Sequence, residues 1–301
     1  MKFSIITPVY NGEKYLEETI KSVLSQEGDF EIEYIIQDGG STDGTIEILK
    51  KYDLLLKEKK YPIQCKGITF LWFSEKDNGM YDAINKGFRH TTGEIYSYIN
   101  SDDFYLPKAF FTISQVFEKY QEIQWVKGVN AFSNSENKKI AEGTCFIYNQ
   151  DWIKKGIYGR NAYFIQQEGV FWRATLWKKV GEIKNTLRYA GDYYLWLQFA
   201  KYTPLYSLHK EISCFRKRPG QLSEDMGKYR KEQASLSQEH GFLNFRVKLF
   251  FWLKQHFMHK RFLPFFIFVY SVIFHNKQTS YIELNEEGEP FIKKTNSYIV
   301  P

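Results

Sequence analysis

The sequence predicts an α/β protein, with a mostly parallel central sheet flanked by helices and a helical, aromatic extension at the C-terminal end. Two observations carry this. Over the first half, apolar runs of strand length alternate with segments whose apolar residues recur at helical spacing, the pattern that builds a parallel sheet with helices on both faces. Toward the end this alternation gives way to basic and aromatic residues. The elements follow in order. Phe3 to Val9 is a strand stopped by Tyr10-Asn11-Gly12, and Tyr15, Leu16, Thr19, Ile20, Val23 and Leu24 form one face of a helix. Ile32 to Ile36 is a second strand, Asp38 to Gly44 a turn, and Thr45 to Tyr52 a short helix. Ile68 to Phe73 is a third strand, followed by a helix that buries Met80, Ala83, Ile84, Gly87 and Phe88. Ile95 to Ile99 is a fourth, stopping at Asn100-Ser101-Asp102-Asp103, and Pro107 suits the first position of the helix that carries Phe110, Ile113 and Phe117. Gln166 to Arg173 is a compact run, a further helix starts near Gly191-Asp192, and Cys214 to Ser223 reads as a basic loop. Ser280 to Pro301 reads as a weakly structured tail or small hairpin.

Composition narrows the class. The 301 residues carry 43% hydrophobic side chains and a formal net charge of +6, which fits a folded chain of one large domain with an appendage. Aromatic residues reach 18%, enough for a core and also for a sugar groove or a membrane-interface surface. Three widely spaced cysteines, Cys65, Cys145 and Cys214, exclude short-spaced zinc motifs and a disulfide scaffold and favour a reducing compartment. The N-terminus reads as the first strand of a mature domain, without a signal peptide. Neither the G-x-G-x-x-G fingerprint nor a P-loop lysine motif occurs, which argues against dinucleotide oxidoreductases and P-loop NTPases.

The extension pairs two unlike pieces. Arg246 to Arg261 mixes five cations with aromatics and contains no acid, and Phe262 to Phe274 is uncharged and overwhelmingly apolar. That run is shorter than the ~20 residues a spanning helix needs, and Pro264 interrupts it. Together they suit docking on an anionic membrane surface. The alternative is packing against the main domain or against a second copy of the chain in a homodimer. Nucleic acid is not expected as a partner, because an apolar block beside the basic run would gain nothing from it.

In a parallel sheet, ligands bind beyond the carboxyl ends of the strands. That rule brings Asp38, Asp77 and the pair Asp102-Asp103 to one rim. Carboxylates there can bind an anionic ligand when Mg²⁺ or Mn²⁺ lies between. Each also has a bland role: Asp103 as a helix cap, Asp77 as a turn cap before Gly79, Asp192 as the N-cap of its helix, and Arg218 as a surface ion-pair partner.

Four motifs bear a resemblance. TPVYNGEKYLEETIKSVLSQ (7–26), IIQDGGSTDGT (35–45), EKDNGMYDAINKG (75–87) and INSDD (99–103) resemble the successive motifs of family 2 glycosyltransferases. The resemblance implies a GT-A fold with a Rossmann-like sheet over residues 1–225, its nucleotide-sugar half about 1–105 and its acceptor half about 106–225, with 226–301 as the extension. It implies a hexosyltransferase that inverts configuration while moving sugar from a UDP-sugar, with Mn²⁺ or Mg²⁺, to a glycolipid or oligosaccharide acceptor. The subgroup it is most similar to builds bacterial exopolysaccharide, capsule or O-antigen, which implies a cytoplasmic protein peripheral on the inner face of the cell membrane. Pro8, Tyr10 and Glu13 resemble the first nucleotide-pocket segment, Asp38 the acceptor of the uracil N–H, and Asp77 a residue closing the base pocket. Asp102 is implied at the ribose or the metal and Asp103 as direct metal ligand, although the motif also permits the reverse. Asp192 resembles the catalytic base, Gln167 and Glu168 resemble acceptor-side residues, and Trp172 offers a stacking face. Arg218 stands where related enzymes often have His, and suits direct pairing with the diphosphate. The alternatives are a catalytically inactive nucleotide-sugar-binding protein and a dTDP- or GDP-sugar enzyme.

Overall fold

The centre of the molecule is strand β1 (Lys2–Val9), buried because it has a parallel neighbour on each side: β4 (Ile95–Tyr98) on one and β2 (Glu27–Asp38) on the other. The computed structural model describes residues 1–160, 162–237, 241–257, 265–266, 268–270 and 278–300, with side chains omitted at 223, 241–244 and 254–257. Helices α1 (Leu16–Leu24), α2 (Thr45–Lys57) and α3 (Met80–Arg89) link these strands and β3 (Gln64–Ser74), which adds parallel to β2. Side chains on β1 and β2 alternate between two cores. Phe3, Ile5, Ile32 and Tyr34 face one, and Ile6 and Ile35 face the other. The period of two therefore covers both faces of the sheet.

After β5 (Phe104–Tyr105), α4 (Ala109–Lys119) leads into β6 (Trp125–Ser133) and the short β7 (Lys139–Ala141). Next come α5 (Gln150–Lys154), capped by the Asn149 side chain, a 3₁₀ turn at Gln167–Gly169, β8 (Val170–Arg173), α6 (Ala174–Val180), α7 (Gly191–Ala200) and β9 (Tyr206–Arg216). β8 runs antiparallel between β4 and β6, and β9 lies parallel to β6. A 3₁₀ turn at Leu222–Glu224 precedes α8 (Met226–Leu236) and α9 (Gly241–Phe257), and β10 (Thr279–Leu284) and β11 (Pro290–Thr295) form a hairpin. Its first strand joins β9, so the sheet order is β11-β10-β9-β6-β8-β4-β1-β2-β3.

Several expectations change. Pro107 lies ahead of α4 rather than in its first turn, because Lys108 adopts a left-handed conformation (φ 63°) between them. Cys214 to Arg216 belong to β9, paired with β5 and β6, so the basic loop starts at Lys217. Of the tail or small hairpin expected from Ser280 on, the structure shows the hairpin, and the segment is tied down beyond it. Besides the hairpin, Tyr298 and Ile299 are buried, and backbone bonds from Ile147 to the Tyr298 carbonyl (2.9 Å) and from Val300 to the Cys145 carbonyl (2.9 Å) tie it down. Beyond residue 225, α8 packs on α7, and α9 buries Val247 and Phe250 in the main core. Much of the apolar run 262–274 lies outside the described residues. Of its described side chains, Phe266 and Tyr270 are buried against the chain's own core, whereas Phe265 and Phe268 are exposed. No helix among the described residues is long and apolar enough to cross a membrane.

Candidate active site

A cleft of about 710 Å³ opens at the carboxyl ends of β1 to β4. Its near wall is two loops laced together. Asn11 N–H donates to Ser41 Oγ (2.7 Å), Thr42 N–H to Asn11 Oδ1 (2.9 Å), Gly12 N–H to Thr45 Oγ1 (2.9 Å) and Gly44 N–H to Glu13 Oε2 (2.7 Å). Asp38 is fully buried, and its carboxylate accepts from Gly40 N–H (3.1 Å), from the N–H and hydroxyl of Ser41 and from Ser74 Oγ (2.6 Å). Pro8, Tyr10, Gly39 and Gly40 line the cleft; Glu13 and Asp38 stand behind it and fix the loops. The Asp38 carboxylate, expected at the base, supports in this structure the loop that borders the cleft. Asp77 does line the cleft, accepting from Gly79 N–H (2.7 Å). Gly39 leaves room for it, since a Cβ there would stand 2.6 Å from Asp77 Oδ2 and push that carboxylate aside.

The two acids after β4 diverge. Asp102 lines the cleft, and its Oδ2 accepts from Arg218 Nε (2.7 Å) and Gln221 Nε2 (3.2 Å). Asp103 turns inward and is fully buried, accepting from Arg216 N–H (2.9 Å) and Asn100 Nδ2 (3.3 Å). Burial first, then Asp102 and Glu168, hold its carboxyl well above the ordinary range. The carboxylate of Asp103 therefore faces away from the cleft, whereas that of Asp102 faces into it. Among the described residues no cluster of three or more His, Cys, Asp or Glu could hold a metal alone. A divalent cation that completes its shell with diphosphate oxygens needs only one or two protein carboxylates, and Asp102 meets that demand.

Across the cleft, Asp192 is half-buried in the first turn of α7. Burial raises its carboxyl from 3.8 to about 6, against opposing hydrogen bonds from Tyr193 N–H, Tyr229 and Tyr81. Gln167 and Glu168 also line the cleft. Glu168 accepts from Asn130 Nδ2 (2.5 Å), and Lys127 donates to Asn130 Oδ1 and the Gly128 carbonyl. Burial pushes Glu168 up to about 7 and Lys127 down to about 8. The buried ammonium is what lets an acid sit so deep.

Trp172 is corrected outright. It is fully buried, packed among Phe88, Tyr98, Trp177, Trp196 and Phe199, and presents no face to the cleft. Among the cleft residues that sequence reasoning did not assign to the site are Tyr81, Tyr98, Gln221 and Tyr229. Tyr81 and Gln221 lie inside motifs already singled out; Tyr98 and Tyr229 carry no local signal. Three lining residues hold buried polar atoms with no hydrogen-bond partner among the described residues: Tyr98 Oη, Asn100 Oδ1 and both amide atoms of Gln167. Such orphans are costly unless a ligand satisfies them.

Residues 4–171, more than half of the chain, match the family described as Glycosyl transferase family 2. The chain belongs to that family. An uncharacterized glycosyltransferase of Rickettsia typhi is 25% identical over 211 residues, 69% of this chain, and the match spans only 62% of that relative's length. A putative teichuronic acid biosynthesis glycosyltransferase, TuaG of Bacillus subtilis, is 35% identical over 100 residues, 33% of this chain and 35% of its own. Among solved structures, S. aureus TarS 1-349 in complex with UDP-GlcNAc superposes with a TM-score of 0.59 at 17% identity, covering 90% of this chain and 80% of TarS 1-349. The mannosyltransferase PcManGT from Pyrobaculum calidifontis, in complex with GDP-Man and Mn²⁺, gives 0.55 at 14% identity over 91% and 75%. At these identities the likeness is one of fold, and the fold of this family 2 glycosyltransferase is GT-A.

Proposed function

We propose that this glycosyltransferase moves sugar from a UDP-sugar to a hydroxyl of a lipid-linked or oligosaccharide acceptor, inverting the anomeric carbon, in the synthesis of bacterial surface polysaccharide. The observation that carries the reading is one cleft with Asp102 and Arg218 on one side and Asp192, raised to about 6, on the other. Asp192 is ionised at neutral pH and takes the proton of the acceptor hydroxyl. The oxygen attacks C1 from the face opposite the nucleotide, and the bond from C1 to the diphosphate oxygen breaks as UDP leaves. Arg218 pairs with the departing diphosphate. Asp102 would hold a divalent cation there, whose chemistry is to neutralise charge on the leaving group. Pro8, Tyr10 and Asp77 would enclose the base. The orphaned groups of Tyr98, Asn100 and Gln167 offer donors and acceptors to sugar hydroxyls.

The UDP-GlcNAc bound by TarS supports a UDP-sugar donor, the Mn²⁺ bound by PcManGT supports the cation, and the teichuronic acid role given to TuaG supports the polymer class. Exposed Phe245, Leu249 and Trp252, at helical spacing on α9, support peripheral docking on an anionic membrane. Thermal-shift and hydrolysis measurements across UDP-, GDP- and dTDP-sugars with Mn²⁺ test the donor. A UDP-sugar is expected to give the largest response and an inverted anomeric product; preference for GDP- or dTDP-sugars, or retention of configuration, overturns the reading.

A further inference from the structure

We propose that Tyr229 is a positioning residue for Asp192: its hydroxyl holds the carboxylate in the orientation that receives the acceptor's proton, and α8 is the element that delivers it. This rests on Asp192 as the base. Tyr229 Oη lies 3.0 Å from Asp192 Oδ1 and 3.2 Å from Oδ2, so one phenolic proton spans both oxygens. Tyr81 is the other hydroxyl nearby, at 3.5 Å from Oδ1, but its proton is better used on the Tyr189 carbonyl at 2.9 Å. Tyr229 is thus the stronger side-chain donor to the base.

The placement of α8 is determined by the same neighbourhood. Glu232, one turn beyond Tyr229 and on the same side of the helix, accepts the backbone N–H groups of Arg188 (2.9 Å), Tyr189 (2.8 Å) and Ala190 (2.8 Å). Those three residues are the turn that leads directly into α7 and Asp192. The start of α8 is capped by Asp225, whose Oδ1 accepts from Lys228 N–H (3.1 Å). Past its end, Ser237 Oγ meets the Tyr193 hydroxyl at 2.9 Å. Three separate ties therefore fix α8 or lock it to α7, and the Tyr229 hydroxyl follows.

Tyr229 joins the Tyr193 N–H and Tyr81 as donors that favour the ionised carboxylate against its burial. The titratable groups that act on it are Tyr81 from α3, Tyr98 from β4, Glu168 from the 3₁₀ turn and Tyr229 from α8, while Glu232 binds the backbone of the turn before α7. Burial and the like charge of Glu168 work against ionisation; the Tyr229 hydrogen bond works for it.

The test is Tyr229→Phe in the full chain, which keeps the ring and removes the proton. Transfer at neutral pH is expected to fall by about tenfold or more, the acid limb of the kcat/KM profile to move up in pH, and transfer to recover partly at alkaline pH while UDP affinity stays at the parental value. An unchanged acid limb overturns the proposal, because a purely packing role would leave it in place. Asp192→Asn is measured alongside. If that variant keeps near-parental transfer, the base reading itself fails; if it is inactive while Tyr229→Phe keeps the parental limb, only the role of Tyr229 fails. Should Tyr229→Phe not fold, Glu232→Gln loosens the tie between α8 and α7, and carries the same expectation and the same refutation.

Discussion

Burying an ionisable carboxyl in the cleft costs stability, and Asp192→Asn should show that cost. The carboxyl is raised from 3.8 to about 6, with desolvation the largest cause. Between those two values the folded chain binds more protons than the unfolded chain, so stability falls as pH rises through that window. At 1.36 kcal/mol per pH unit, the gap costs the folded parent at most about 3 kcal/mol at pH 7. Asparagine has no proton to bind and keeps an oxygen to accept from Tyr229. The variant should therefore be more stable than the parent at pH 7 by up to about 3 kcal/mol, with the advantage disappearing below about pH 4. Its transfer rate should fall by about 10² or more. Urea unfolding of both proteins at a series of pH values from 4 to 7 measures the first effect, and a transfer assay the second. Equal stability at pH 7, or an offset that does not change with pH, would refute the reasoning, because the cost assigned to ionised Asp192 would not exist.

Trp172→Ala should cost about 3–5 kcal/mol in denaturant unfolding and leave the UDP affinity of the folded fraction unchanged; lost sugar binding with undiminished stability would return Trp172 to the cleft. Asp102→Asn should abolish the gain in UDP affinity that Mn²⁺ gives in calorimetry, whereas Asp103→Asn should retain it; the opposite result would show that the inward-facing acid swings out to the metal. Full-length protein should sediment with anionic vesicles at low salt, and Phe245→Ser with Leu249→Ser should shift it to the supernatant; a parent that never sediments excludes docking through α9.

The parallel half was legible because burial writes itself into sequence. β1 and β2 are covered on both faces, so nearly every residue from Phe3 to Val9 and from Ile32 to Ile36 is apolar or small. The positions of Asp77 and Asp102 followed from strand ends, Asp192 was implied only by the family resemblance, and all three line the cleft. Asp38 and Glu13 were harder, since what consumes their carboxylates is a set of hydroxyls and backbone N–H groups on other loops, including Ser74 and Gly44. Trp172 misled because an aromatic residue beside a motif does not say which way it faces. β8 is inserted antiparallel between β4 and β6, and that insertion buries the indole. Tyr229 has no motif around it, and its role depends entirely on how α8 meets α7.

The topology also explains why the chemistry divides along the chain. The parallel strands β1 to β4 deliver loops to one rim, and these fall within residues 4–171, the part that matches the family. They build the wall where a nucleotide would lie. Asp192, Arg218 and Tyr229 all come after that region and reach the same cleft from α7, the loop after β9, and α8. One junction between the two halves is Arg216 at the end of β9. Its backbone N–H donates to Asp103, its Nε to the Asp102 carbonyl (2.7 Å), and its Nη2 to Glu18 on α1. A fully buried guanidinium is tolerated only where acceptors surround it, and these acceptors come from α1 and the rim of β4. The junction thereby fixes where Arg218, two residues later, enters the cleft, and the pair Arg218–Asp102 spans the seam between the half that would hold the nucleotide and the half that would move the proton.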